Sequence, residues 1–240
     1  MTPRAIILAA GMGERLVKGQ RYPKPMEPVL GVPLIVRVIR TLHAAGVQEI
    51  GIVIGHLGDV LREGLAREDL PCKLTFFDND EYRKPNGTSL LKAREFVVGP
   101  TILTMSDHLY GPELPRAVGS APLNTGESAL GIDRNIAACF DLPDATKVKL
   151  DGERIVRIHK ELEDYDALDT GVFLITEALV AALDEAEGPD GCSLSDGVQA
   201  LARKGRMRAI DVGSVRWIDV DHHAAHAEAE RLLTTGTFET

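Results

Sequence analysis

Ala5-Ile6-Ile7-Leu8-Ala9-Ala10-Gly11-Met12-Gly13-Glu14-Arg15-Leu16, with Pro23-Lys24-Pro25 soon after, is the stretch that decides the fold. Six apolar residues, Ala5 to Ala10, read as a buried parallel strand. The run breaks into Gly11-Met12-Gly13, a tight turn whose glycines let backbone N–H groups approach an anion. Behind the turn stand two cations, Arg15 and Lys24, which can neutralise a polyphosphate. A strand that delivers its C-terminal end into such a loop is where open α/β sheets bind nucleotides. The dinucleotide fingerprint would need a third glycine, where this chain has Leu16, and a helix opening directly from the loop. Lys18, Gly19, Arg21, Pro23 and Pro25 make the following stretch too broken for a helix. A dehydrogenase reading falls on that ground, and the P-loop pattern is absent as well. Taken alone, the glycines also fit an ordinary turn with two solvated cations.

Outward from this opening, strand and helix patterns alternate. Pro33 to Gly46 carries Leu34, Ile35, Val38, Ile39 and Leu42 on one face, beginning at proline and stopping at glycine. A second strand ends near Gly55, residues 57–67 read as a helix, and Lys73 to Phe77 as a third strand. Thr88 to Phe96 reads as helical, and Thr101 to Asp107 as a fourth apolar strand. This order predicts a mostly parallel, Rossmann-like α/β sheet with helices on both faces. The second half changes character. Glu127–Ile132, Thr146–Leu150 and Ile155–His159 are short β segments with an Asp151-Gly152 turn, so a small antiparallel β extension is expected. Gly171–Thr176 reads as a strand, Glu177–Ala186 and Leu194–Arg203 as helices. Met207–Val212 and Val215–Asp219 read as a strand pair, followed by a last helix from about His222 to Leu233. No repeat or convincing linker interrupts the chain, which favours one domain over residues 1–240.

Bulk properties narrow the partners. The chain has 240 residues, 44% hydrophobic and 26% charged, with a net charge of −9, which argues against a nucleic-acid binder. Cys72, Cys139 and Cys192 are scattered without metal or disulfide spacing, so a reducing cytoplasm is expected. No apolar stretch approaches the roughly 18 residues of a membrane span, and the six-residue opening run is a poor secretory signal. His222 and His226 lie four apart, but no third ligand accompanies them in sequence, so polar surface is the expected reading.

Two acidic sets remain. The fourth strand ends in Met105-Ser106-Asp107-His108, which puts a carboxylate at the sheet's C-terminal edge beside the glycine loop. Hard oxygen ligands there suit Mg²⁺, which takes its other ligands from phosphate and water. The second set is Trp217-Ile218-Asp219-Val220-Asp221, whose alternating carboxylates share one face of a strand. The plain alternatives are that Asp107 caps the next turn and Asp221 caps the last helix.

Leu8–Leu16 (LAAGMGERL) followed by the PKP resembles the opening of the sugar-nucleotidyltransferase family. In order along the chain, NGTSLLKA at 86–93, TMSDHLY at 104–110, IHKEL at 158–162, DTGVF at 169–173 and WIDVD at 217–221 resemble one subgroup, the CTP:inositol-1-phosphate cytidylyltransferases. The resemblance implies a nucleotide-diphospho-sugar transferase fold, with residues 1–110 as an NTP-binding half and 111–240 as an acceptor-binding half. It implies nucleotide contact at Leu8, Ala9, Ala10, Gly11, Gly13, Arg15, Lys24, Asn86, Gly87, Ser89, Ser106 and Asp107. Acceptor contact falls on His108, Asp133, Lys160, Asp169 and Gly171, with Lys160 at the acceptor's phosphate. Mg²⁺ falls on Asp107 with Asp219, Asp221 or both. Arg15, Lys24, Asp107 and Lys160 are then the catalytic set. One departure is Glu14, where the family usually has a small hydroxyl residue. Asp133 and Arg134 equally fit a surface ion pair, Lys160 a solvated strand end, and Gly87 a simple turn.

The implied reaction joins an NTP, CTP by resemblance, to a polyol or sugar phosphate, inositol 1-phosphate by resemblance, and expels pyrophosphate. An anionic phosphate oxygen attacks the α-phosphorus in line and needs no general base, so catalysis reduces to positioning and charge neutralisation. Some relatives carry a membrane-bound synthase on the same chain, so a separate downstream transferase is expected here. A glycosyltransferase would place a D-x-D at the fourth strand's end, where this chain reads Asp107-His108-Leu109. A non-catalytic regulatory module would tend to lose Arg15, Lys24 and Asp107, all of which are in place.

Overall fold

The computed structural model describes residues 3–17, 19 and 22–237. Lys18 and Arg21 lie outside the described residues. Strand β1 (Arg4–Ala9) runs into the glycine loop and a single helical turn, α1 (Glu14–Val17). That turn corrects the expectation of a wholly non-helical stretch: the Leu16 and Val17 amides both donate to the Gly13 carbonyl at 3.1 Å. A 3-10 turn at Lys24–Met26 and a two-rung hairpin, β2 (Pro28–Val29) with β3 (Val32–Pro33), lead to α2 (Leu34–Ala44). The helix starts just after Pro33 and stops before Gly46, whose φ of +101° suits glycine. β4 (Glu49–Ile54), α3 (Gly58–Leu65), β5 (Lys73–Asp78), α4 (Asn86–Lys92) and β6 (Thr101–Met105) complete the alternating half.

The second half begins with β7 (His108–Tyr110), α5 (Glu113–Gly119) and β8 (Ser128–Asp133). The hairpin β9 (Lys147–Asp151) and β10 (Arg154–His159) precedes β11 (Ala167–Ile175). Two helices follow, α6 (Glu177–Ala186) and α7 (Leu194–Arg203). Thr176 caps the first, and a Ser193–Asp196 capping box starts the second. β12 (Met207–Asp211), β13 (Trp217–Asp219) and α8 (His223–Thr234) end the chain. Among the described residues, no helix is long and apolar enough to cross a membrane.

Among the described residues, nine strands form one sheet in the order β5-β4-β1-β6-β11-β8-β12-β10-β9. Four ladders are parallel and five antiparallel. The antiparallel part is thus larger than the extension expected from sequence. β11 also pairs with β9, so the last five strands close back on one another. β1 is central, and its side chains alternate between two cores. Ala5, Ile7 and Ala9 pack with Leu34, Ile35 and Leu42 of α2, whereas Ile6 and Leu8 pack with Leu90 of α4 and Leu183 of α6. Burial on both faces is why this strand reads as an unbroken apolar run.

The expected pairing of the last two strands is corrected. β12 lies between β8 and β10, while β13 pairs antiparallel with β7 in a separate two-stranded ribbon. That ribbon places Asp219 opposite His108.

Candidate active site

The centre is assembled at the C-terminal edge of the parallel strands β1 and β6. β1 and β6 are direct neighbours, with Leu8 opposite Met105, and the Ser106 amide donates to the Leu8 carbonyl at 3.1 Å. Asp107 therefore emerges beside the glycine loop. The β7–β13 ribbon, with the Val220 amide donating to the Asp107 carbonyl at 3.0 Å, brings the second acidic set to the same point. Gly13 has a φ of +62°, and a Cβ there would sit 2.3 Å from the Cβ of Lys24. This glycine is required because the lysine chain lies across it. Gly11 has open space above it and is free for close approach by a ligand.

Lys24 is only 5% exposed. Its Nζ donates to Asp107 Oδ2 at 2.7 Å and also to Asp221. Burial would lower the ammonium pKa, but Asp107, Asp221 and Asp219 more than offset it and hold it above its ordinary value. Asp107 is the converse case: burial favours its neutral form, yet Lys24 and His108 depress its pKa well below the carboxylate range. Arg15 spans Asp144 (2.9 Å) and Asp221, and Lys160 also donates to Asp144. The hydrogen bond to Asp144 leads the upward shift of Arg15.

His108 donates from Nδ1 to Asp107 Oδ1 at 3.0 Å, and its ring stacks on Trp217 at 6.3 Å between centroids and 9° between planes. The stack needs Gly171, whose φ is +74° and whose Cβ would meet the imidazole at 2.3 Å. Burial opposes charge on His108, but Asp219 and Asp107 raise its pKa to about 9, so it is a cation at neutral pH. Burial pushes Asp219 up to about 7 and Asp169 up to about 6.

Two hollows meet here, sharing Asn86, Met105, His108, Asp219 and Asp221 along their boundary. The larger encloses about 540 Å³ between the glycine loop and α4, which suits a nucleotide. Leu8, Ala10, Gly11, Gly13, Arg15, Lys24, Asn86, Ser89, Ser106 and Asp107 line it. Ala9 and Gly87 do not. Ala9 points into the sheet core, and a Cβ on Gly87 would sit 2.6 Å from the Cys192 carbonyl, so this glycine serves helix docking. Asn86 joins in that docking, its Oδ1 accepting from the Leu194 amide at 2.9 Å.

The smaller hollow, about 180 Å³, suits a compact acceptor, and His108, Asp169 and Gly171 line it. Asp133 lies outside both hollows. Its Oδ2 accepts from Trp217 Nε1 at 3.0 Å and its Oδ1 from the Asn135 amide. Neither does it pair with Arg134, which bridges to Asp211 at 3.1 Å. Lys160, predicted at the acceptor's phosphate, lines neither hollow; its side chain is 45% exposed and reaches the smaller one only through its ion pair with Asp144. Sequence reasoning missed Asp144, Asp141 and Trp217, which also line this hollow. Trp217 stood inside a quoted motif. The two aspartates lie in the β8–β9 connection, where no pattern marks them. Asp221 does not cap α8; His222 does, its Nδ1 accepting from the Ala225 amide. His222 and His226 bond to Asp141 and to the Pro28 carbonyl, at 2.8 and 2.9 Å, and share no site.

Among the described residues, two sets of side chains bring ligand-capable atoms within 4.8 Å of one another: Asp107, His108 and Asp219, and Asp144, Asp219 and Asp221. The Asp219 Oδ1 atom is buried and accepts no hydrogen bond from the described residues. A buried oxygen without a donor is costly, and a hard divalent cation would satisfy it. The carboxylates fit such an ion; a protonated His108 has no lone pair to offer.

A glycine loop, a buried lysine and converging carboxylates, set between a nucleotide-sized and a smaller hollow, define the nucleotidyltransferase class. Residues 5–130 match the MobA-like NTP transferase domain, and the chain belongs to that family. It is 37% identical over 220 residues to the bifunctional IPC transferase and DIPP synthase of Rubrobacter xylanophilus, covering 90% of this chain and 49% of that protein. It is 29% identical over 241 residues to the CMP-5'-(3-aminopropyl)phosphonate synthase of Streptomyces rubellomurinus, covering 95% and 38%. The chain spans about half the length of the bifunctional relatives it matches. The structure of the inositol-1-phosphate CTP transferase from T. maritima superposes with a TM-score of 0.84 at 25% identity, covering 97% of this chain and 95% of that one.

Proposed function

We propose that the chain is a Mg²⁺-dependent cytidylyltransferase that joins CTP to a phosphorylated polyol, inositol 1-phosphate first, giving a CDP-alcohol and pyrophosphate. The observation that carries this reading is the pair of hollows meeting at His108, Asp219 and Asp221, with Lys24 and Arg15 on the nucleotide side. The names of the Rubrobacter and T. maritima relatives support the choice of substrates. Residues 1–110 supply most of the nucleotide side and 111–240 most of the acceptor side of one unit, each lending a few residues to the other. Three free cysteines fit a reducing cytoplasm.

In this mechanism the glycine loop, Leu8 to Gly13, receives the triphosphate, and Asn86, Ser89 and Ser106 line the base and ribose end. Lys24 and Arg15 neutralise charge building on the leaving pyrophosphate. Lys160 meets the acceptor phosphate and offsets the repulsion between two anions. His108, Asp169 and Gly171 orient the acceptor, and Asp133 acts at one remove by fixing Trp217. One acceptor oxygen forms the new bond to the α-phosphorus as the bond to the β-phosphate bridging oxygen breaks. Asp107, Asp219 and Asp221 would hold Mg²⁺, which when bound polarises the α-phosphate as a Lewis acid.

A second acceptor class is favoured by the acidity of the smaller hollow. Asp141, Asp144, Asp169, Asp219 and Asp221 line it beside Phe140 and Trp217, a setting that also attracts an ammonium group. The name of the Streptomyces relative, a CMP-aminopropylphosphonate synthase, supports including such acceptors. The test is pyrophosphate release with four NTPs against inositol 1-phosphate, other polyol and sugar phosphates, and aminoalkylphosphonates. Release with CTP and one of these acceptors is expected. Release with no pair sinks the reading, and transfer from a nucleotide-sugar would favour a glycosyltransferase.

A further inference from the structure

Resting on that reading, we propose that Asp144 is an internal counter-ion that substrate phosphates displace. Both of its carboxylate oxygens are taken by the two cations assigned to different substrates. Oδ2 accepts from Arg15 Nη1 at 2.9 Å, and Oδ1 accepts from Lys160 Nζ. Arg15 comes from the turn behind the glycine loop, Lys160 from just beyond β10. Two like charges brought to one carboxylate would repel each other without it. The side chains of Arg15 and Lys160 remain 55% and 45% exposed, so an incoming anion can reach both.

The second terminal nitrogen of Arg15 is on Asp221. Both ends of the guanidinium thus rest on carboxylates, and a triphosphate must compete with them. Asp144 lines the acceptor hollow and bonds to Arg15, which lines the nucleotide hollow, so it links the two half-sites. Its segment is tethered on either side, by Asp141 to His222 at 2.8 Å and by the Asp169 amide to the Thr146 carbonyl at 2.9 Å. Between these tethers it is a turn, the Asp144 and Ala145 amides donating to the Asp141 carbonyl at 3.2 and 3.1 Å. Such a turn can swing its carboxylate away while the ends stay fixed. The charge of Asp144 thereby keeps Arg15 and Lys160 gathered when the site is empty, and opposes both anions as they arrive.

The probe is pyrophosphate, which engages the Arg15 end without turnover. By calorimetry at low salt, Asp144→Asn is expected to bind pyrophosphate about 1.5- to 5-fold more tightly than wild type, the range that exposed ion pairs span. The gain shrinks as salt rises. In wild type, amide hydrogen exchange across 139–146 is expected to rise on saturation with pyrophosphate, where a simple contact would lower it. Unchanged or weaker pyrophosphate binding by Asp144→Asn overturns the inference, as does exchange that falls. Turnover by wild type is scored separately. An inactive wild type with a tighter-binding Asp144→Asn sinks the functional reading alone; an active wild type with unchanged binding in the variant sinks the counter-ion alone.

Discussion

At Lys24 a buried ammonium is answered by two carboxylates before any substrate arrives. Burial without such partners would drive the proton off; here Asp107 and Asp221 keep it on. Asp107→Asn is expected to lower kcat by about 10²–10³-fold, the range for losing one pre-organised electrostatic group. CTP affinity without metal should change far less, because Lys24 keeps Asp221; calorimetry beside single-turnover kinetics separates the two. Asp219 gives the pH dependence. Its folded pKa is raised to about 7 from an ordinary 3.8. Its protonated form therefore favours the fold below about 4, and that contribution is lost as pH rises through 7. In chelator above pH 7, Asp219→Asn is expected to melt higher, by on the order of 2–4 °C for each ~1 kcal/mol recovered. A lower melting point would mean that the carboxylate is a structural partner. Trp217→Phe keeps a ring over His108 but strands Asp133 Oδ2, a loss of about 1–3 kcal/mol for a buried acceptor. The acceptor KM should rise about ten-fold with the CTP KM unchanged, as steady-state kinetics with each substrate varied in turn would reveal.

Among the elements, the glycine loop and the β7–β13 ribbon set the geometry. Gly13→Ala meets both a φ of +62° and the Lys24 Cβ at 2.3 Å. Its expected cost is about 1–2 kcal/mol from the left-handed conformation, plus a displaced lysine; the CTP KM should rise more than the melting point falls. The sequence made β1 and β6 legible because both are buried on two faces and so read as continuous apolar runs. It made Asp107 legible because the run ends in a charge. The partner of β13 was not legible: a three-residue strand pairs by long-range register, and Trp217-Ile218-Asp219 carries no signal that its mate is His108–Tyr110. The same limit hid Asp144, whose importance lies in reaching Arg15 129 residues away in sequence. Gly87 and Asp133 sat in suggestive positions, but their neighbours, the Cys192 carbonyl and the Trp217 indole, are brought by the fold.

Across the whole molecule, a net charge of −9 surrounds a site that must accept polyanions. Arg15, Lys24 and Lys160 are each paired with carboxylates, so the free protein presents little bare positive charge to an incoming nucleotide. Metal and nucleotide should therefore bind cooperatively. With Mg²⁺, CTP at about 100 times its Kd stabilises by ~2.7 kcal/mol, a melting shift on the order of 5–10 °C in a chain of this size. ATP, GTP and UTP at the same concentration should shift it less, and CTP in chelator least. Thermal melts in that matrix check base preference and metal dependence together.

Trp217 is the chain's single tryptophan, and it lies parallel to the charged His108 ring in the wall of the smaller hollow. A protonated imidazole is an efficient quencher of indole emission, so the empty protein should be dim. Any ligand that shifts His108 should brighten it, giving the molecule a label-free optical signal of its own occupancy.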